Sequence, residues 1–324
     1  MHRHRLIIDC DPGHDDFAAI ALAATSGVFD IEAITTVCGN APLDHTTKNA
    51  LAIVQALGLK VPVYAGAKGA LLHRHGFPVE FHGVTGLDSA GASLPPARKP
   101  VAPGHAALEI VNRVNAAPGK ITMVVLGPMT NLALALALDP GIAERVRQLV
   151  FMGGGIAGGN VTARAEFNMW ADPEAAAIVL RSGMPATMFG LDVTNRAWLA
   201  PADLARVAAA APEPNPVADI LQFYTYQSGD VRSGRIPGAP LHDTCPIAWL
   251  IDPDLFRIEK LLVEMVTAPG PAYGATLADM RPWAPEDLPR LGVAMDLDRE
   301  GIAARVTEAL IETAKRVARM TEPA

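Results

Sequence analysis

A chain of 324 residues, half of them apolar and only 19% charged, has ample material for a sizeable buried core and little reason for disorder. Its net charge of −7 offers no broad basic field for a phosphate backbone, which excludes a nucleic-acid polymer as the main partner and favours a small neutral ligand. Behind the basic residues 1–5 the apolar run spans only 6–8, far short of a signal-peptide core. No stretch approaches the roughly 20 apolar residues that cross a bilayer, so a cytoplasmic protein with no membrane contact is expected.

In chain order, residues 5–10 read as a strand and 15–26 as a helix, followed by a strand at 31–37 and a helix at 44–57 with Asp44 as N-cap and a stop at Gly58. Residues 66–103, rich in Gly, Pro and His, read as one long functional loop. Two buried strands follow at 120–126 and Gln148–Met152, and two helices opened by proline at 128–138 and Pro173–Arg181. Helical patterns at 202–211 and 217–229 precede a loop at 232–242. Late strands are expected at 259–267, 276–280 and 292–296, and a final helix at 298–319. This alternation predicts an α/β fold with an open, mainly parallel sheet flanked by helices, and no linker divides residues 1–324 into more than one domain. Cys10, Cys38 and Cys245 cannot all pair and lack zinc-type spacing, which suits a reducing compartment.

The most informative segment is Asp9-Cys10-Asp11-Pro12-Gly13-His14-Asp15-Asp16, which places four carboxylates in eight residues at the end of the first strand. Two carboxylates about 4 Å apart repel by roughly 4 kcal/mol at an effective dielectric near 20, so such a cluster needs a cation or shared protons. Oxygen-only ligands select a hard ion, and calcium suits them better than zinc, with magnesium as the other candidate. Pro12 and Gly13 make the turn. Asp15 and Asp16 then open a helix with side chains about 100° apart, so one can face an ion while the other faces a ligand. Asp9 is expected to serve the framework. The bland reading is an acidic loop that caps its own helix.

This segment closely resembles the N-terminal hallmark of the nucleoside hydrolase family, of the inosine/uridine-preferring type. Four further segments resemble the family in order: Cys38-Gly39-Asn40, Leu126-Gly127-Pro128-Met129-Thr130-Asn131, the run 152–168 followed by Asp172-Pro173-Glu174-Ala175-Ala176, and His242-Asp243. The resemblance spans about residues 5 to 250. It implies a Rossmann-like α/β core and a hydrolase that cuts the N-glycosidic bond of purine or pyrimidine nucleosides to give base and ribose. It further implies that Ca2+ is held by Asp11, Asp16, Asp243 and the main-chain carbonyl of Leu126, with Asp11 as general base toward a water acidified by the ion. Asp15, Asn40, Asn160, Glu166 and Asn168 would hold the ribose, His242 would protonate the departing base, and His82 and Phe167 would line the base pocket. The roles of Phe223, Tyr224, Tyr226, Gln227 and Arg232 stay open. The family likeness implies a homodimer or homotetramer.

Three other readings compete. Gly153-x-Gly155-x-x-Gly158 after a strand matches a dinucleotide fingerprint, but no helical pattern follows it before Pro173. A haloacid-dehalogenase-type phosphatase also carries Asp-x-Asp after its first strand, although Asp15 and Asp16 would repel a phosphate dianion. A non-catalytic calcium- or ribose-binding homologue is the third. In segment 159–168 the Asn and Glu side chains have a plainer alternative, since they can satisfy their own backbone.

Overall fold

The structure, a computed structural model, describes residues 4–73, 76–227, 229–234, 236–285 and 288–321. The strands are β1 (His4–Cys10), β2 (Phe29–Thr36), β3 (Val63–Ala65), β4 (Ile121–Val125), β5 (Gln148–Met152), β6 (Ala186–Phe189), β7 (Trp198–Leu199), β8 (Ala239–Pro240), β9 (Phe256–Met265), β10 (Thr276–Asp279) and β11 (Leu291–Leu297). The helices are α1 (His14–Thr25), α2 (Leu43–Ala56), α3 (Val79–His82), α4 (Ala106–Ala116), α5 (Thr130–Leu138), α6 (Ile142–Arg145), α7 (Phe167–Ala171), α8 (Pro173–Arg181), α9 (Leu191–Thr194), α10 (Pro201–Ala208), α11 (Pro216–Gln227), α12 (Gly229–Arg232), α13 (Thr244–Ile251) and α14 (Arg299–Thr321).

Nine strands form one sheet in the order β10-β9-β11-β6-β5-β4-β1-β2-β3. From β3 to β11 every neighbouring pair is parallel, and β9 and β10 join through antiparallel pairings. The α/β fold with a mainly parallel sheet is therefore as the sequence predicts. Its physical basis is the double burial of the central strands. Leu6 and Ile8 of β1, Val124 of β4 and Val150 of β5 pack into one layer with Phe17, Ile20, Ile53 and Leu310. Ile7, Met123, Val125, Leu149 and Phe151 point the other way, against Ile110, Leu132 and Ala175. Side chains alternate faces along a strand, and a sheet covered on both faces reads as a continuous apolar run.

The chain runs from β1 outward through β2 to β3 and then returns to β4 on the other side of β1. The crevice beyond the carboxyl ends of β1 and β4 is thus the switch point where ligands of open α/β sheets bind. Helix α1 starts there. The Gly13 N–H donates to Asp16 Oδ2 at 2.9 Å, so the third helical residue reaches back to cap its own start.

Two predicted helix starts shift. The cap of α2 is Pro42 rather than Asp44, because proline with φ −53° is already set for the turn and the Pro42 carbonyl accepts from the N–H groups of His45 and Thr46. Pro128 lies outside α5, which opens at Thr130. Proline does open α8, with the Asp172 carboxylate accepting from the Ala175 N–H at 3.1 Å. Within residues 66–103 the short α3 is the only helix among the described residues. No helix of the described residues is long and apolar enough to cross a membrane.

Candidate functional site

Five aspartates, Asp9, Asp11, Asp15, Asp16 and Asp243, lie buried at the carboxyl edge of the sheet. Asp9 belongs to the framework, as expected. Its Oδ1 accepts from the Thr35 hydroxyl at 2.6 Å and the Asn131 amide at 2.8 Å, tying β1 to β2 and α5, and burial pushes its carboxyl up to about 7. Asp11 follows β1, where its Oδ2 accepts from the Asn40 N–H at 2.7 Å. Two glycines make this fit possible. A Cβ at Gly39 would lie 2.0 Å from Asp11 Oδ2, and one at Gly127 would lie 2.4 Å from Oδ1. The Asn40 amide bridges on to Asp16 Oδ2 at 3.2 Å and to the Asp11 carbonyl at 3.2 Å.

Carboxylate oxygens of Asp15, Asp16 and Asp243 all lie within 4.8 Å of one another. Burial first, and then mutual repulsion, drives these acids toward the protonated form. Asp11 and Asp243 sit well above the carboxylate range, and Asp15 is pushed up to about 8. Among the described residues, Oδ2 of Asp9, Oδ1 of Asp11 and Oδ1 of Asp16 are buried with no hydrogen-bond partner. Partnerless buried carboxylate oxygens are costly, and an all-oxygen donor set is what a hard divalent cation takes, so these residues fit such an ion.

A cavity of about 90 Å³ opens in front of the cluster, lined by Asp15, Asn40, Leu126, Asp243 and His242 together with Asn160, Val161, Glu166, Phe167 and Asn168. Asp11 and Asp16 are not among the lining residues, and Asn40, which is, bonds both of their carboxylates. The Leu126 carbonyl reaches the site and accepts from the Asn168 amide at 2.7 Å. Glu166 is the N-cap of α7. Its Oε1 accepts from the Asn168 N–H, and its Oε2 from those of Gly154 and Met169. Asn160 Oδ1 accepts from the Phe167 N–H at 2.9 Å. The plainer alternative of backbone satisfaction is thus present, yet both side chains still line the cavity. A carboxylate has about four lone-pair positions, so three such bonds leave Glu166 able to accept another, and burial pushes it up to about 7.

His82 ends α3 and stacks on Tyr224, ring centroids 5.4 Å apart, and both line the cavity together with Phe81 and Phe167. Burial holds the His82 ring neutral, its pKa well below the ordinary histidine value. His242 precedes α13, and its Nδ1 lies 2.9 Å from the Thr194 hydroxyl. Of the aromatic group left open by the sequence, Tyr224 lines the cavity, Phe223 stacks on His14 instead, and Tyr226 is 68% exposed. Arg232 is exposed and away from the lining, and the side chain of Gln227 lies outside the described residues.

Several contributors escape sequence reasoning. His14 occupies the variable place in the acidic motif, stacks on Tyr224 and His82, and bonds the Asp88 carbonyl through Nε2 at 2.8 Å. Nothing in the motif spacing points to this role. Thr130 and Asp172, quoted only as motif letters, bond each other at 2.6 Å and bind the two segments together. The competing readings lose support. After Gly158 the chain stays irregular until α7, so no helix opens at a dinucleotide fingerprint. Among the described lining residues there is no Lys or Arg to meet a phosphate.

Residues 6–304 match the family described as inosine-uridine preferring nucleoside hydrolase. Over 280 residues, 86% of this chain and 88% of theirs, the chain is 40% identical to the pyrimidine-specific ribonucleoside hydrolases RihB of Shigella sonnei and Escherichia coli. The purine-preferring ribonucleoside hydrolase from Gardnerella vaginalis superposes with a TM-score of 0.88 at 30% identity, over 96% of this chain and 99% of that one. The plant nucleoside hydrolase PpNRh1 gives 0.85 at 29% identity with the same coverage.

Proposed function

The chain belongs to the inosine-uridine preferring nucleoside hydrolase family, and from that premise we propose how its cleft divides the work and which base it prefers. It is a hydrolase of N-glycosidic bonds in ribonucleosides. Pyrimidine nucleosides are its preferred substrates, a reading supported by the 40% identity to pyrimidine-specific enzymes. The site is built on one domain spanning the chain, and the proposal extends to a cytoplasmic homodimer or homotetramer.

The observation that carries the mechanism is the cluster of buried aspartates, with Oδ1 of Asp11 and of Asp16 among its partnerless oxygens, beside a cavity lined by polar side chains. Asp11, Asp16, Asp243 and the Leu126 carbonyl are the residues that would hold calcium. When bound there, the ion would supply the positive charge that makes a water molecule acidic near neutral pH. Asp11 takes the proton of the attacking water, for which its Oδ1 is available. Asp15, Asn40, Asn160, Glu166 and Asn168 grip the ribose hydroxyls, which fixes the sugar while its ring flattens toward an oxocarbenium-like transition state. As the bond between C1′ and the base nitrogen breaks, water adds to C1′ and the base leaves with the electron pair. His242 delivers the proton the base needs, and His82, Phe167 and Tyr224 form its pocket.

A panel of nucleosides assayed for free ribose tests both levels. Uridine and cytidine are expected to exceed inosine, adenosine and guanosine in kcat/KM by at least about tenfold, within the range one pocket can discriminate. Faster purines would reverse the base assignment, and no ribose from any nucleoside would remove the function.

A further inference from the structure

The leaving-group histidine needs a fixed ring, and its own backbone fixes only part of it. The Leu241 N–H donates to the Ala197 carbonyl at 3.0 Å, the Thr244 hydroxyl to the Leu241 carbonyl at 2.8 Å, and the Cys245 N–H to the His242 carbonyl at 3.2 Å. These bonds set the Cα of His242 and leave its two side-chain torsions free. A ring contact that orients it comes from α9, where Thr194, 0% exposed, brings Oγ1 to 2.9 Å from Nδ1.

We propose that Thr194 is a positioning residue for the reaction, donating its hydroxyl proton to His242 Nδ1 so that the ring carries its own proton on Nε2, on the edge away from Thr194. The argument is one of donors. Among the described residues the Thr194 hydroxyl has no other hydrogen-bond partner, so its proton has Nδ1 as acceptor. A neutral imidazole that accepts at one nitrogen must be protonated at the other. To act as an acid the ring first takes up a solvent proton at Nδ1, which turns the contact round so that Nδ1–H donates to Thr194 Oγ1; Nε2 then gives its proton to the departing base, and the neutral ring that remains keeps its Nδ1 proton on the same threonine oxygen, so one contact serves the ring before and after transfer. A valine of the same shape could do neither.

The same short turn reaches the other wall of the cleft. Two residues earlier, Asp192 accepts from the Ile156 N–H at 2.7 Å and the Ala157 N–H at 2.9 Å, at the root of the loop that presents Asn160 and Glu166. One turn after β6 therefore sets the proton donor and the sugar-holding loop in mutual register.

The proposal rests on His242 being the leaving-group donor, so the test carries its own control. Uridine and the riboside of 4-nitrophenol are compared in wild type, Thr194→Val, Thr194→Ser and His242→Ala, with thermal melting of each. The nitrophenolate leaves without protonation. Thr194→Val is expected to lower kcat on uridine by about 30-fold and on the nitrophenyl riboside by less than about threefold, with KM little changed. Thr194→Ser, which keeps the hydroxyl, is expected to restore uridine turnover, and Thr194→Ala carries the same comparison if valine prevents folding. Equal losses on both substrates, no loss at all, or no rescue by serine while His242→Ala remains selective for uridine would make Thr194 merely structural. Unselective loss in His242→Ala would instead overturn the donor role of His242 and, with it, the proposal.

Discussion

Replacement of Asp11 by alanine is expected to lower kcat on uridine by on the order of 10⁴-fold, because the proposed mechanism gives this one side chain two roles, general base and cation ligand. The fold is expected to survive. Asp11 is fully buried, and Oδ1 has no hydrogen-bond partner, so deletion removes a desolvated group whose burial is unfavourable. Against this stands the Asn40 N–H, which loses its acceptor at a cost of about 1–3 kcal/mol. The two effects oppose each other, and the melting temperature of the calcium-free protein is expected to change little. Asp11→Asn separates shape from charge, since it preserves the volume and should lose nearly as much activity. Steady-state kinetics with thermal melting reads both quantities, and activity within about tenfold of wild type would remove Asp11 as the base.

Gly39→Ala is the second large effect, and it acts by displacing the Asp11 carboxylate rather than by removing it. The added Cβ would sit 2.0 Å from Asp11 Oδ2, 2.7 Å from Asp11 Cγ and 2.8 Å from a ring carbon of Pro128. Neither neighbour is a flexible chain end. Pro128 is a ring, and the Asp11 carboxylate is enclosed on its other side by Gly127, where a Cβ would stand 2.4 Å from Oδ1. The carboxylate must rotate or the Cys38-Gly39-Asn40 turn must shift, and a misplacement of about 1 Å at a reacting group costs about 10²-fold in rate. Overpacking should also cost about 1–3 kcal/mol of stability. Gly69→Ala is the matched control, since among the described residues a Cβ there meets nothing within 4 Å, and its activity should equal wild type. An active, fully stable Gly39→Ala enzyme would show that Asp11 does not need its observed position.

Much of this architecture was legible because parallel strands buried on both faces read as apolar runs, and β1, β2, β4 and β5 emerge within two residues of their predicted bounds. Shorter pieces were not. β3 has three residues and β6 four, too few for a period to show, and both are held by neighbours far away in sequence. α13 escaped for a different reason. Its residues Thr244–Ile251 are apolar almost all round, with Pro246 in the first turn, so no amphipathic stripe marks it.

The site divides in the same way. The acids at 9–16 stand out because their chemistry is local, and Glu166 and Asn168 stand out through resemblance alone. His14, Asp192 and Thr194 act through contacts to residues 68, 36 and 48 positions away, and only the assembled sheet brings these together. Glu166 shows why segment 159–168 was ambiguous: the same carboxylate caps α7 and faces the cavity, so the framework role and the proposed binding role fall on one group.

Metal content and turnover measured on the same sample bear most directly on the acid cluster. Enzyme as isolated is expected to hold about one calcium per chain, and prolonged chelation should remove it and reduce uridine hydrolysis below about one-hundredth, with added calcium restoring both. Undiminished hydrolysis in protein shown to be free of calcium would contradict the assignment of Asp11, Asp16 and Asp243 to a cation.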